Sequence, residues 1–99
     1  VFVAGQLPLD PATGEVVPGD FGDHVRQTLR NVEAILKAGG SDLEHVVRVN
    51  VYLTDPSQFP LLNEAYSAVM KTPYPPRTAR AVALGPYDVE IDAVGVVVK

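Results

Sequence analysis

Residues 20–40 constrain the fold more than any other stretch of the chain. Their apolar members recur at helical spacing, namely Val25, Leu29, Val32 and Leu36. That spacing predicts an amphipathic helix, which Asp20 or Asp23 can cap and which Gly39 and Gly40 can end. Because such a helix has one apolar face, the chain must supply a sheet or a second helix to cover it.

Strand patterns lie on both sides of this helix. Residues 46–53 alternate near period two, and residues 1–6 form a short β-branched run that ends after a glycine. A second helix is predicted from Pro56 to about Lys71, and its apolar stripe consists of Leu62, Ala65, Tyr66 and Val69. Two strands are predicted over 78–84 and 89–98. This order predicts an α/β domain in which both helices pack on one sheet.

The chain is short for the apolar surface that it contains. It has 99 residues, 46% hydrophobic and 20% charged, and no cysteine for a disulfide or a thiolate metal ligand. A single domain of this size buries only about 60–65% of the surface that its unfolded chain exposes. Self-association is therefore the expected way to cover the remaining apolar surface.

Charge and hydropathy argue against two classes of partner. The net charge is −4 with only 8 Lys and Arg residues, and no basic cluster is present, so nucleic acid is not an expected partner. The apolar runs are far shorter than the roughly 20 residues that span a bilayer, so no membrane association is expected.

The N-terminal residues lack the features of a secretion signal, and a cytoplasmic location is the expectation.

Nucleophilic and metal chemistry find little support in the sequence. None of the three serines lies in the context of a nucleophile elbow. Asp20, Asp23 and His24 are close together at a helix start, where a capped and solvated terminus is the more common arrangement than a metal site. We therefore predict no metal site.

Two charged residues are the strongest candidates for chemistry. Arg77 follows the rigid segment 74–76 where the chain enters a strand, which suits bidentate recognition of a carboxylate. Glu90 and Asp92 share one face of the last strand, where a carboxylate can act as a general base on water. The alternative for both Arg77 and Glu90 is a solvated position at the sheet surface.

The spacing of Arg77 and Glu90 indicates how they would share a site. If residues 85–88 form a tight hairpin loop, Ala83 lies opposite Glu90 and six residues from Arg77. At roughly 3.3 Å per residue, the separation is about 20 Å, too long for one small substrate to contact both side chains. A common site would then require two subunits.

The sequence resembles the Rid/YjgF family of reactive-intermediate (enamine/imine) deaminases along most of its length. The matching segments are residues 3–8, 13–15, 27–32, 39–41, 46–55, 63–66, 76–78 and 89–94. Their order and spacing together make the resemblance specific. It implies a chorismate-mutase-like α/β fold, with a mixed sheet and two helices packed on one face, and a homotrimer with clefts between subunits.

The resemblance also implies hydrolysis of 2-imino or 2-enamino acids to 2-oxo acids and ammonia without a cofactor. By this resemblance, Arg77 clamps the substrate carboxylate and Glu90 positions the attacking water. Gly5 and Asn63 match substrate-binding positions. Ala79 matches a third one, often held by Cys, where the backbone takes part.

The sequence departs from the family at two places. Ala4 stands where a Ser usually precedes the Gly-Gln pair, and the single domain over 1–99 is expected to lack the family's N-terminal strand and its pocket Tyr. A non-catalytic, holdase-like trimer that binds small carboxylates is therefore a second hypothesis. A ribonuclease or translation-inhibitor role is a third, and the net negative charge argues against it.

Overall fold

The computed structural model describes the whole chain from Val1 to Lys99, and its two helices cover one face of a four-stranded mixed sheet. The elements are β1 (Phe2–Gln6), α1 (Phe21–Ala38), β2 (Val46–Leu53), α2 (Phe59–Val69), β3 (Arg77–Ala81) and β4 (Val89–Gly95). Single 3-10 turns at Leu43–His45 and Pro56–Gln58 lead into β2 and α2. The predicted fold is confirmed. Neither helix has the length and apolar character that crossing a membrane requires.

The strand order is β1-β4-β2-β3, so the predicted hairpin between the last two strands is wrong. β4 is antiparallel to both β1 and β2, whereas β3 pairs parallel with β2 at the edge of the sheet. The reason is that β2, α2 and β3 form a strand–helix–strand unit, and such a unit joins parallel strands. Gly85 does form a turn, with φ of 63°, but residues 82–88 cross beyond the end of β2 instead of folding back on β3.

Helix α1 begins and ends where the sequence indicated. The Asp20 carboxylate accepts a hydrogen bond from the Asp23 amide at 2.9 Å, and the Asp23 carboxylate accepts one from the Asp20 amide at 3.0 Å. This capping box satisfies two amides that the helix leaves free. A side-chain hydrogen bond from Arg26, together with the Asp20 amide, lowers the pKa of Asp23. Both carboxylates therefore serve the helix terminus, and no cluster of three His, Asp or Glu side chains forms a metal site.

Replacing Asp20 by alanine should lower the free energy of unfolding by about 1 kcal/mol, because the Asp23 amide loses its acceptor. Asp20→Ser is the matched control, since a serine hydroxyl can accept the same hydrogen bond. Urea denaturation of both variants measures the effect. A serine variant as unstable as the alanine variant would contradict the capping role.

The two faces of the sheet differ in chemistry. The helix face holds the core, in which the side chains of α1, β2 and β4 are nearly inaccessible, including Val25, Leu36, Val51, Leu53, Val89 and Ile91. The open face instead shows polar and charged side chains, among them Arg48, Asn50, Tyr52, Thr78, Arg80, Glu90 and Asp92. Phe2, on β1, is 86% exposed. An exposed aromatic side chain on the edge strand is consistent with the expected self-association.

Candidate active site

Arg77, the first residue of β3, points to the helix face, where α2 contacts it. Its register partner is Val49, a core residue, and residues in register share a face of the sheet. Nη2 of Arg77 donates a hydrogen bond to Oδ1 of Asn63 at 2.8 Å. Its Cζ lies 4.8 Å from the centroid of the Tyr66 ring. The Pro76 carbonyl accepts a hydrogen bond from the Val49 amide at 3.0 Å, which ties the extended approach segment to β2.

Arg77 has no acidic partner within the chain. The protein has five ion pairs, and none of them includes Arg77. Burial raises the pKa of Tyr66 above 10.0, so its phenol stays neutral beside the guanidinium. A guanidinium that donates to a single neutral amide oxygen keeps most of its five N–H groups for an anion.

A cavity of about 440 Å³ lies beside Arg77. Its other lining residues are Asn63, Tyr66, Ser67, Tyr74 and Pro75. This volume is within the usual range for small-molecule sites, and a guanidinium at its wall suits an organic acid. Tyr66 belongs to the predicted apolar stripe of α2, and neither Tyr66 nor Ser67 was predicted as a site residue. Their sequence position could have indicated them, because side chains three and four residues after Asn63 lie on the same side of a helix as Asn63.

Glu90 lies on the open face of the central strand β4. The core residues Val89 and Ile91 flank it, so the alternation of the strand turns its side chain away from the helices. Glu90 is half-buried, yet its carboxylate forms no ion pair or side-chain hydrogen bond within the chain. A free carboxylate in this position can accept a proton from water.

Gly5 lies directly against Glu90. A Cβ built on Gly5 would be 2.8 Å from both Cδ and Oε2 of Glu90, closer than real Cβ atoms approach other atoms. The register between β1 and β4 shifts between Val3 and Gln6, and Gly5 lies within that irregular stretch. The structure therefore brings these two candidate residues together, and a side chain at position 5 would displace the carboxyl of Glu90 from its present position.

Ala79 is the second residue after Arg77 on β3, and it presents its backbone at the free edge of the sheet. The Val49 amide donates a hydrogen bond to the Pro76 carbonyl at 3.0 Å, and the Val82 amide donates one to the Leu53 carbonyl at 2.9 Å. A parallel ladder uses alternate residues, so the N–H and C=O of Ala79 point away from β2. Both groups are therefore free to bind a ligand, which suits a residue expected to act through its backbone.

Arg77 and Glu90 lie on opposite faces of the sheet. Arg77 is in register with Val49, which is in register with Ala93, so Glu90 is two strands across and three residues along β4. The separation of about 20 Å along a hairpin is wrong, because that hairpin does not exist. The sheet itself stands between the two side chains, so a small molecule cannot contact both within one chain.

Comparison with known proteins identifies the family of this chain. The family model described as Endoribonuclease L-PSP, which is the Rid/YjgF family, matches residues 1–97. The chain belongs to the Rid/YjgF family. The resemblance seen in the sequence motifs is confirmed, and it extends over almost the whole chain.

Members of the Rid/YjgF family resemble the chain in both sequence and structure. The chain is 46% identical over 96 residues to the RutC family protein PH0854 of Pyrococcus horikoshii, and the alignment covers 95% of this chain and 76% of that protein. It is 39% identical over 98 residues to a 2-iminobutanoate/2-iminopropanoate deaminase of Bos taurus, covering 97% and 72%. The structure of Escherichia coli TdcF with bound serine superposes with a TM-score of 0.88 at 36% identity, covering 96% and 78%.

Proposed function

We propose that this Rid/YjgF protein hydrolyses small 2-imino and 2-enamino acids to 2-oxo acids and ammonia, without a cofactor. One observation supports the proposal above the others: Arg77 and Glu90 are both unpaired charges, one beside a cavity and the other beside a glycine. The bovine relative named as a 2-iminobutanoate/2-iminopropanoate deaminase supports this substrate class. TdcF with bound serine shows a family member that holds a compound with the same 2-amino carboxylate skeleton.

The substrate carboxylate binds the free N–H edge of Arg77 through two charge-assisted hydrogen bonds. Glu90 takes a proton from a water molecule as the water oxygen attacks the imine carbon. The π electrons of the C=N bond move to nitrogen, which takes up a proton from solvent, and a tetrahedral carbinolamine forms. Glu90 then returns its proton to the amino group, the hydroxyl loses its proton to solvent, and the C–N bond breaks to release ammonia and leave the 2-oxo acid. An enamine enters the same sequence after its β-carbon takes up a proton.

The required acceleration is modest, because imines of this kind also hydrolyse in water. Holding the carboxylate on Arg77 fixes the imine carbon in place, and one general base activates the water. The free backbone groups of Ala79 are two residues from Arg77 on the same edge and can orient the substrate. Asn63 holds the guanidinium by accepting a hydrogen bond from Nη2 of Arg77.

Because Arg77 and Glu90 lie on opposite faces of one sheet, the proposed site joins two subunits. We propose a homotrimer in which the β3 edge of one subunit meets the open face of the next. A closed ring of three gives every subunit both roles, since each contact repeats around the axis. The exposed Phe2 and the half-buried side chains of the open face supply surface for such contacts.

A competition assay tests the proposed activity. An amino acid oxidase generates 2-iminopropanoate or 2-iminobutanoate in place, and semicarbazide competes with the protein for the imine. We expect the rate of semicarbazone formation from the imine to fall in proportion to added protein, while total 2-oxo acid production is maintained. An unchanged rate, together with binding of 2-oxobutanoate, would identify the non-catalytic carboxylate-binding module instead.

Gly5→Ala should lower kcat by about tenfold or more and change KM little. The added methyl group would occupy the space of the Glu90 carboxyl, so that carboxyl must move away from the attacking water, and misplacement by 1 Å costs up to about 10²-fold. Gly22→Ala is the matched control, because its Cβ would approach no atom closer than 3.3 Å and its nearest neighbours, Asp20 and Arg26, lie outside the proposed site. Equal rates for the two variants would contradict the role given to Gly5.

A further inference from the structure

We propose that Tyr66 is a positioning residue for Arg77: its ring supports one face of the guanidinium and so holds the free N–H edge towards the substrate carboxylate. This inference rests on the proposed function, since it concerns the same carboxylate site. It adds to that site a residue whose sequence pattern predicts a place in the apolar stripe of α2.

Two contacts fix the guanidinium of Arg77. Asn63 accepts one N–H at 2.8 Å, which sets the rotation of the group. The Tyr66 ring lies 4.8 Å from Cζ, a distance at which a cation is attracted to the face of an aromatic ring. The ring and the amide together restrict the orientation of the guanidinium, and a bidentate contact with a carboxylate depends on that orientation.

Both supports belong to one rigid element. Asn63 and Tyr66 are three residues apart on α2, so they lie on the same side of the helix. Tyr66 is only 5% exposed, and its ring is tilted by 55° against Tyr74 with 6.1 Å between centroids. Packing therefore fixes the ring, and the ring in turn fixes a side chain that emerges from the first residue of β3.

Tyr66 contacts Arg77 through its ring and not through a hydrogen bond of its hydroxyl. The hydroxyl is buried and has no hydrogen-bond partner, which costs stability relative to a phenylalanine at this position. Burial also raises the pKa of Tyr66, so no phenolate forms to neutralise Arg77. The neutral ring supports the cation and leaves its charge available to the substrate.

The test measures binding of 2-oxobutanoate, which does not depend on turnover. In the protein that retains Arg77, Tyr66→Leu should raise the Kd of 2-oxobutanoate by about three- to thirty-fold. Tyr66→Phe should leave that Kd within about twofold of the unsubstituted protein. In an Arg77→Lys background, the difference between the Leu and Phe variants should shrink, because an ammonium keeps the attraction to the ring but has no planar group for the ring to orient. Equal effects of Tyr66→Leu in both backgrounds, or equal losses for Leu and Phe, would overturn the proposal.

A second set of variants keeps the packing intact. Phenylalanines bearing increasing numbers of fluorine atoms at position 66 preserve the shape of the ring and weaken its attraction for a cation stepwise. We expect Kd to rise with each added fluorine, and a constant Kd would overturn the positioning role alone. If Arg77→Ala leaves the Kd of 2-oxobutanoate unchanged, the carboxylate site itself is wrong, and both the proposed function and this inference fall.

Discussion

Arg77→Ala should abolish hydrolysis of 2-imino acids while the fold and the assembly stay intact. The side chain sits half-exposed at the start of an edge strand, and its one hydrogen bond goes to an exposed asparagine, so its removal costs little stability. The substrate, in contrast, loses both hydrogen bonds to its carboxylate. Charged hydrogen bonds contribute about 1.5–3 kcal/mol each, so kcat/KM should fall by roughly 10²- to 10⁴-fold.

The competition assay and size-exclusion chromatography measure these two properties separately. Arg30→Ala is the matched control, since Arg30 lies on the exposed surface of α1 and pairs with Glu33. Arg77→Lys should have an intermediate kcat/KM, because an ammonium keeps the charge but loses the two-pronged geometry of the guanidinium. Unchanged turnover by Arg77→Ala would exclude this residue as the carboxylate clamp.

Glu90→Gln should lower kcat by roughly 10²- to 10⁴-fold, the usual contribution of a general base, with KM nearly unchanged. Glutamine has the same shape as glutamate, so packing against Gly5 is maintained and only the proton acceptor is lost. The change removes a negative charge that no cation in the chain compensates, so it should not destabilise the fold.

Asp92→Asn is the matched control for this variant. Asp92 lies two residues along the same face of β4, but its carboxylate already accepts a hydrogen bond from Asn50 at 2.9 Å. Steady-state kinetics on both variants distinguishes a catalytic carboxylate from a general effect of charge on the open face. A similar loss in the two variants, or none in Glu90→Gln, would contradict the role of Glu90 as base.

Local signals were enough to predict the helices and most of the strands. Capping by Asp20 and the glycines after Ala38 are short-range features, and they set the ends of α1 wherever the helix packs. Strand pairing is different, because it depends on contacts between distant residues. The turn at residues 85–88 was visible in the sequence, but nothing local showed that β4 would enter the sheet between β1 and β2.

The residues of the candidate site were likewise only partly predictable from the sequence. Arg77 and Glu90 stood out as charges in or beside predicted strands, and the family resemblance added Gly5 and Asn63. Tyr66 could not be recognised, because a buried aromatic residue at helical spacing has the same pattern whether it packs in a core or supports a cation. Its contact with Arg77 exists only because β3 lies parallel to β2 beside α2, a long-range arrangement.

The opposite orientation of Arg77 and Glu90 changes how an assembly would relate to activity. Burial of apolar surface alone would make association a source of stability for a chain of 99 residues. With the sheet between the two side chains, the proposed site also needs a second copy of the chain. Disruption of the assembly should therefore remove activity even where the monomer keeps its fold.

Mixed assemblies of Arg77→Ala and Glu90→Gln chains test this requirement most directly. Each variant alone should be inactive, and both should be co-expressed in equal amounts so that they assemble at random. If each site takes Arg77 from one subunit and Glu90 from its neighbour, about one quarter of the sites join two intact residues, and about a quarter of the wild-type activity should return. If both residues act within one chain, every chain contains a defect, and activity no higher than that of the separate variants would contradict the intersubunit site.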